Sequence, residues 1–205
     1  MIELHTANTP NGQKPVILLE ELNLPYELHM VDLSSGGQTR PEFLKISPNS
    51  KIPAIVDQET GITVFESGVV LSYLAEKTGQ FQPTTLRGRY EVQEWLMLQM
   101  ASVGPTLGQL FHFKNVASEH MPYALDRFGT EARRLFGVLN RQLDGRLYIC
   151  GDYSIADIAF YPWISRAQPL EIDMDEFGNL AEWLDRVGER PAVQRALAIV
   201  AEGKK

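Results

Sequence analysis

Cysteine is almost missing from this chain. Cys150 stands alone among 205 residues, so an internal disulfide is excluded. That economy fits a reducing compartment, and a cytoplasmic location is expected. Long apolar runs are missing too. No stretch approaches the roughly 20 apolar residues that a membrane-spanning helix needs, so no membrane role is expected. The opening residues, MIELHTANTP, lack the basic-then-apolar layout of a signal peptide. Excess positive charge is also absent. Lys and Arg number 19 against 26 Asp and Glu, a net charge of −7. Such a surface repels polyanions at long range, which argues against nucleic acid as a partner. A small anionic ligand would need a locally positive pocket. Histidine is sparse as well: His5, His29, His112 and His120 show no metal-ligand spacing, and no metal is expected.

What is present is an ordinary globular composition, 44% hydrophobic and 22% charged. Its two halves follow different rules. Over residues 1–80 strand and helix patterns alternate. Ile2 to His5 reads as a strand, Val16 to Leu22 as a helix with Pro15 in its first turn, and Tyr26 to Asp32 as a second strand. Residues 40–47 supply a turn or two of helix. Ala54 to Asp57 and Ile62 to Phe65 are strands so close together that they form an antiparallel hairpin. Ser67 to Lys77 is a helix stopped near Thr78-Gly79. The order is βαβ-α-ββα. The first unit should be parallel and right-handed, giving a mixed four-stranded sheet in an α/β layer.

Residues 81–86 read as a linker, and strand patterns then vanish. Residues 87–113 predict a long helix broken or bent at Gly104-Pro105. Residues 123–143 predict another, with Leu125, Phe128, Ala132, Leu135, Leu139 and Leu143 in one apolar stripe. Shorter helices follow, split by Pro191. The expected domains are therefore 1–80, α/β, and 87–205, all-α. Ser154-Ile155-Ala156-Asp157 matches a capping box, a folding signal rather than a catalytic one.

Three stretches have the chemistry to hold a ligand. In Lys51-Ile52-Pro53-Ala54, a proline stands before a short buried strand. A cis bond there would leave the Ile52 peptide groups free to pair with an extended peptide; a trans-proline strand start is the plainer alternative. In Phe65-Glu66-Ser67-Gly68, a strand ends and a helix begins. Its N-terminus suits a carboxylate and Glu66 an ammonium, although a simple Ser cap beside an exposed Glu would look the same. In Thr9-Pro10-Asn11-Gly12, Thr reads as a cap and Pro as the first helical residue. The same place also lowers the pKa of a thiol held against it. In a βαβ-ββα arrangement all three lie on one rim. An extended γ-linked tripeptide with a central thiol would span them.

Taken in order, "SKIPAI", "FESG" and "SIAD" make the chain similar to the glutathione S-transferase family over nearly its whole length. Within it, "TPNGQK", "VDLSSGGQTRPEFL", "ISPNSKIPAIVD", "GPTLGQLFHF", "MPYALDRF" and "YSIADIA" resemble the bacterial nu class, the disulfide-bond oxidoreductases. The resemblance implies a thioredoxin-like N-terminal domain followed by an all-helical one. It also implies glutathione as co-substrate, with two glutathiones or their disulfide per site, a small disulfide as substrate, and a homodimer. It places glutathione contacts on Thr9, Asn11, Gln38, Lys51, Ile52, Pro53, Glu66 and Ser67. Arg127 is implied as a further anion contact from the helical domain, either in its own subunit or across a dimer interface. The tyrosine, serine or cysteine that other classes carry at the first-helix turn is replaced here by Thr9 and Asn11.

The expected activity is thus glutathione-dependent disulfide reduction, with Thr9 and Asn11 stabilising a thiolate that belongs to glutathione. Cys150 is expected to be a buried structural thiol. Two alternatives stand beside this. One is conjugation of glutathione to apolar electrophiles, for which Leu107, Phe111, Phe113 and Trp163 could line a pocket or simply form core. The other is a binding module without catalysis. His112 lies in "GQLFHF", near where a second ligand could lie, but reads better as a satisfied surface or core histidine.

Overall fold

The computed structural model describes residues 1–203. It divides into two compact units, one of residues 1–82 with Glu189 onward, the other of residues 83–188.

The first unit is built on four strands, β1 (Ile2–Thr6), β2 (Tyr26–Met30), β3 (Ala54–Asp57) and β4 (Ile62–Phe65), in spatial order β2-β1-β3-β4. β1 and β2 are parallel, while β3 is antiparallel to both β1 and β4. This is the mixed sheet the pattern predicts. The helices are α1 (Pro10–Leu22), α2 (Pro41–Ile46) and α3 (Ser67–Thr78), the last ended by Gly79 in the left-handed region. The strand period separates the faces of the sheet. Ile2, Leu4 and Thr6 are buried, and Ile2 pairs in register with Asp57. Asp57 accepts from Tyr73 Oη at 2.6 Å and meets Lys77 Nζ at 2.8 Å, so α3 covers this face. Burial works against charge on Asp57, but hydrogen bonds from Lys77, Tyr73 and the Glu59 N–H outweigh it and hold the carboxyl below its usual range. The opposite face carries Glu3 and His5, and there Phe43 of α2 meets the His5 ring edge-on.

Two expectations about this unit need correction. Helix α1 starts at Pro10, not Val16, so Pro15 is interior rather than in the first turn. It has no N–H to return to the Asn11 carbonyl. The start is set instead by the Thr9 cap and by Pro10 at the first position. The second correction concerns the C-terminus. Residues from Glu189 onward, expected with the helical half, belong to the first unit. Helix α9 (Pro191–Glu202) packs on α1. Arg190 grips Glu21 with two bonds, 2.6 and 2.9 Å, and Arg195 reaches Glu20 at 3.1 Å. α1 therefore has a second apolar face to cover, which is why its residues from Gly12 to Glu20 are buried all round.

The second unit is all-α: α4 (Leu86–Leu98), α5 (Gly104–Asn115), α6 (Pro122–Gln142), α7 (Ile155–Ile164) and α8 (Gly178–Gly188). The expected break between α4 and α5 is a π-helical turn over Gln99–Val103, immediately before Gly104-Pro105. The α6 stripe is buried from Ala132 onward and half-buried at Leu125 and Phe128. The capping box at α7 is present. Asp157 Oδ2 accepts the Ser154 N–H at 3.0 Å, while Oδ1 accepts the Ile149 N–H at 3.0 Å and Trp183 Nε1 at 2.8 Å. No helix among the described residues is long and apolar enough to cross a membrane.

Candidate functional site

Sheet register alone gathers the three candidate stretches. His5, Ala54 and Phe65 form one rung across β1, β3 and β4. The residues just beyond that rung are Thr6, Pro53 and Glu66, so the chain leaves the sheet at one edge through Ala7–Thr9, Ile52–Pro53 and Glu66–Ser67. β2 ends at the same edge, where Thr6 pairs with Met30 and the Val31 N–H donates to Thr6 O at 2.7 Å.

The first stretch is held by a close approach. Thr6 Oγ1 donates to Gly12 O at 2.8 Å, and a Cβ on Gly12 would stand 2.1 Å from Ala7 O. Only glycine allows α1 to start so near the end of β1. Thr9 caps the helix, its Oγ1 accepting the Gly12 N–H at 3.1 Å. One side of the hydroxyl is thereby used, and its proton remains to be donated. Asn11 follows in the first turn, half-buried.

The second stretch contains the cis bond considered from the sequence: Ile52-Pro53 is cis. The β1–β3 ladder stops at the His5–Ala54 pair, so the Ile52 peptide groups take no part in it. Lys51 is exposed beside it. The loop before it knits the site together. Ser47 Oγ donates to Lys51 O at 2.7 Å, Ser50 Oγ to Gln38 O at 2.9 Å, and Asn49 Nδ2 to Glu66 Oε1 at 3.2 Å. Gln38 lies in the short 3₁₀ turn Gly37–Thr39, and its Oε1 is buried with no hydrogen-bond partner among the described residues. A buried amide oxygen of that kind is a place for a ligand donor.

The third stretch differs in detail from the expectation. Glu66, not Ser67, is the capping position of α3, and Ser67 is the first helical residue, buried. No side chain of the described residues caps this N-terminus, so its first-turn N–H groups and dipole are directed out of the helix. Glu66 sits at φ 68°, a conformation that favours glycine, so strain is stored where its carboxylate is presented.

Two residues with a part here went unnoticed in the sequence. Asn49 orients Glu66. Lys14, on α1, is fully buried; burial lowers its ammonium pKa to about 7, opposed by the attraction of Glu66. A lysine inside "NGQKPVILL" carries no local signal of burial. Only the covering of α1 from two sides encloses it.

Arg127 belongs to the second unit, exposed on α6 beside a cavity of about 500 Å³ that Tyr123 and Glu131 also line. Of the residues considered for an apolar pocket, Leu107 is core, Phe113 stacks on Phe128 at 5.7 Å, Trp163 is half-buried, and Phe111 is exposed. Cys150, in the same unit, is half-buried, and burial together with Asp157 and Glu91 pushes its thiol up to about 12.

Residues 9–77 match the glutathione S-transferase N-terminal domain and residues 122–186 the glutathione S-transferase C-terminal domain. The chain is 46% identical to the disulfide-bond oxidoreductase YfcG of Escherichia coli, over 96% of this chain and 94% of that one. It belongs to the glutathione S-transferase family. A second E. coli relative of this transferase, the disulfide-bond oxidoreductase YghU, is 39% identical over 95% of the chain and 73% of the relative. Among solved structures, a glutathione transferase from Burkholderia graminis with two glutathione molecules bound per subunit superposes with a TM-score of 0.92 at 44% identity, covering 96% of this chain and 87% of that one. One from Pseudomonas putida with one glutathione disulfide per subunit gives 0.93 at 41%, covering 97% and 91%. The sheet-containing unit is the thioredoxin-like domain of this transferase fold, and the α-helical unit is its C-terminal domain. The chain is an enzyme of a family that uses glutathione.

Proposed function

We propose that this transferase is a glutathione-dependent disulfide reductase of the nu class, in which glutathione itself supplies the reacting sulfur. The observation that carries the reading is the state of the one protein thiol. Burial and the nearby Asp157 push the Cys150 thiol up to about 12, while the helix start that could activate a thiol offers Thr9 and Asn11 instead.

A cysteine thiol with a pKa of about 8.5 is only a few per cent ionised at pH 7. The Thr9 hydroxyl proton, the Asn11 amide and the α1 dipole favour the thiolate at the first glutathione. Ile52, after Lys51 and before cis-Pro53, pairs with the backbone of the tripeptide. Glu66 receives its ammonium; Ser67 and the open end of α3 receive its carboxylate. Gln38 and Lys51 add polar and cationic contacts, and Arg127 a further one to an anion. The thiolate attacks one sulfur of the substrate disulfide, forming a mixed disulfide as the old S–S bond breaks and the leaving thiolate takes a proton. A second glutathione thiolate attacks the glutathione sulfur of that mixed disulfide; its S–S bond breaks, the substrate's remaining thiolate leaves and takes a proton, and glutathione disulfide is formed. Two electrons pass from two glutathiones to the substrate.

Relatives named disulfide-bond oxidoreductases, and neighbours crystallised with two glutathiones or their disulfide, support this reading. A homodimer in the cytoplasm is part of the proposal. The test compares turnover of a small alkyl disulfide with that of an aryl halide, each with glutathione. Faster disulfide turnover is expected. Turnover of the halide alone would make the enzyme a conjugating transferase, and no glutathione binding by calorimetry would leave a binding module of another kind.

A further inference from the structure

On the face of the sheet turned away from α3, β1 and β2 set like against like. In parallel register Glu3 stands opposite Glu27 and His5 opposite His29. Like-charged carboxylates directly opposite one another destabilise a strand pair. The imidazoles stack at 4.6 Å with their planes 15° apart. Neither His ring is satisfied by its neighbours. His5 Nε2 is 3.9 Å from Glu3 Oε2, too long for a hydrogen bond. His29 Nε2 is buried and has no hydrogen-bond partner among the described residues, its 3.4 Å approach to Glu27 Oε1 being an ion-pair distance without hydrogen-bond geometry. Local pairing of this kind, costly in the protein alone, is favourable around a cation.

The geometry points to a divalent metal site, and we propose that Glu3, His5 and His29 bind Zn²⁺. One ligand atom from each lies within 4.8 Å of the other two. Tetrahedral zinc with bonds of about 2.0–2.1 Å wants its ligands about 3.3 Å apart. The half-buried ends of these side chains rotate to close that gap; the strands need not move. Two histidines and one carboxylate with a fourth position open is a known zinc donor set. Imidazole pairs also suit zinc better than magnesium or calcium, which prefer all-oxygen shells. The supporting shell is in place. Gln58 Nε2 donates to Glu3 Oε1, and Glu27 lies beside His29. Glu3 and His5 also line a cavity of about 670 Å³ floored by Phe43 and Val56, which gives the ion an entry path. Sequence spacing hides the site, because its ligands come from two strands 24 residues apart and only the register unites them. It is independent of the glutathione reading: the metal is no part of the disulfide chemistry.

The test is calorimetric titration of the full chain with zinc chloride in the absence of glutathione and other thiols. Wild type should bind one Zn²⁺ per chain. His29→Gln and Glu3→Gln should each weaken binding roughly tenfold or more. His112→Gln and Cys150→Ser should leave it unchanged. Cobalt substitution should give the intense visible bands of a tetrahedral ion in wild type and lose them in His29→Gln, with both proteins folded by circular dichroism. No stoichiometric zinc binding, or binding indifferent to both His29→Gln and Glu3→Gln, overturns the proposal.

Discussion

Thr9 Oγ1 accepts the Gly12 N–H at 3.1 Å, and Thr9 thereby caps the helix whose positive end faces the candidate site. The hydroxyl has two roles that substitution separates. Thr9→Val removes both the cap and the proton. It should cost about 1 kcal/mol of stability and lower disulfide-reductase kcat. Thr9→Asp caps as well but sets a carboxylate beside the thiolate. Its melting temperature should stay close to wild type while kcat falls at least as far as in Thr9→Val. Thr9→Ser should keep both. Melting curves and initial rates on the three variants are the measurement.

Lys14 gives a prediction with a definite pH window. Its pKa is lowered from 10.5 to about 7 in the folded protein, chiefly by burial. Between those values the unfolded chain binds more protons, so this residue's contribution makes stability rise as pH increases from about 7 to about 10.5. Below that window the folded state bears the whole cost of a buried ammonium. Lys14→Met should therefore be more stable than wild type in urea at pH 6.5, with the gap closing toward pH 10. A gap that does not change with pH would contradict this reading of Lys14.

Asp157 is the buried acceptor that ties α7 to α8, through Trp183, and to the Ile149 N–H. Asp157→Ala leaves those donors and the Ser154 N–H without a partner. Each orphaned group costs roughly 1–3 kcal/mol, so a loss of at least about 3 kcal/mol is expected by chemical denaturation. Reductase kinetics of the fraction still folded should be close to normal.

Much of this molecule is legible in its sequence, for reasons that are local. The β3–β4 hairpin follows from two apolar runs around Gln58 to Gly61. The α7 capping box follows from Ser154 and Asp157, three residues apart. What escaped is what distant segments create together. Helix α1 looked shorter because its first turn, Pro10 to Gln13, has no amphipathic period; a cap and a close glycine approach define it. Lys14 gives no local sign of burial, which comes only from α3 and α9 packing on its helix. His5 and His29 had no metal spacing until strand pairing set them side by side. Glu66 gave no sign of its positive φ, since nothing but the turn into α3 demands it. The candidate glutathione contacts stood out only as short punctuation between elements, because one rung of the sheet, not proximity along the chain, brings Thr9, Ile52 and Glu66 to a common edge.

Glu66→Gln should leave the fold intact, since the residue is exposed and the hydrogen bond from Asn49 is retained by an amide oxygen. It should raise KM for glutathione more than it lowers kcat, as expected for a group that binds the ammonium remote from sulfur. Steady-state kinetics with glutathione as the varied substrate decide it.

Replacing Cys150 with serine asks directly where the reacting sulfur comes from. With glutathione and a small disulfide, Cys150→Ser should turn over at the wild-type rate, and wild type should keep its activity after treatment with iodoacetamide followed by removal of the reagent. A Cys150→Ser enzyme that folds and binds glutathione but no longer reduces the disulfide would contradict the account.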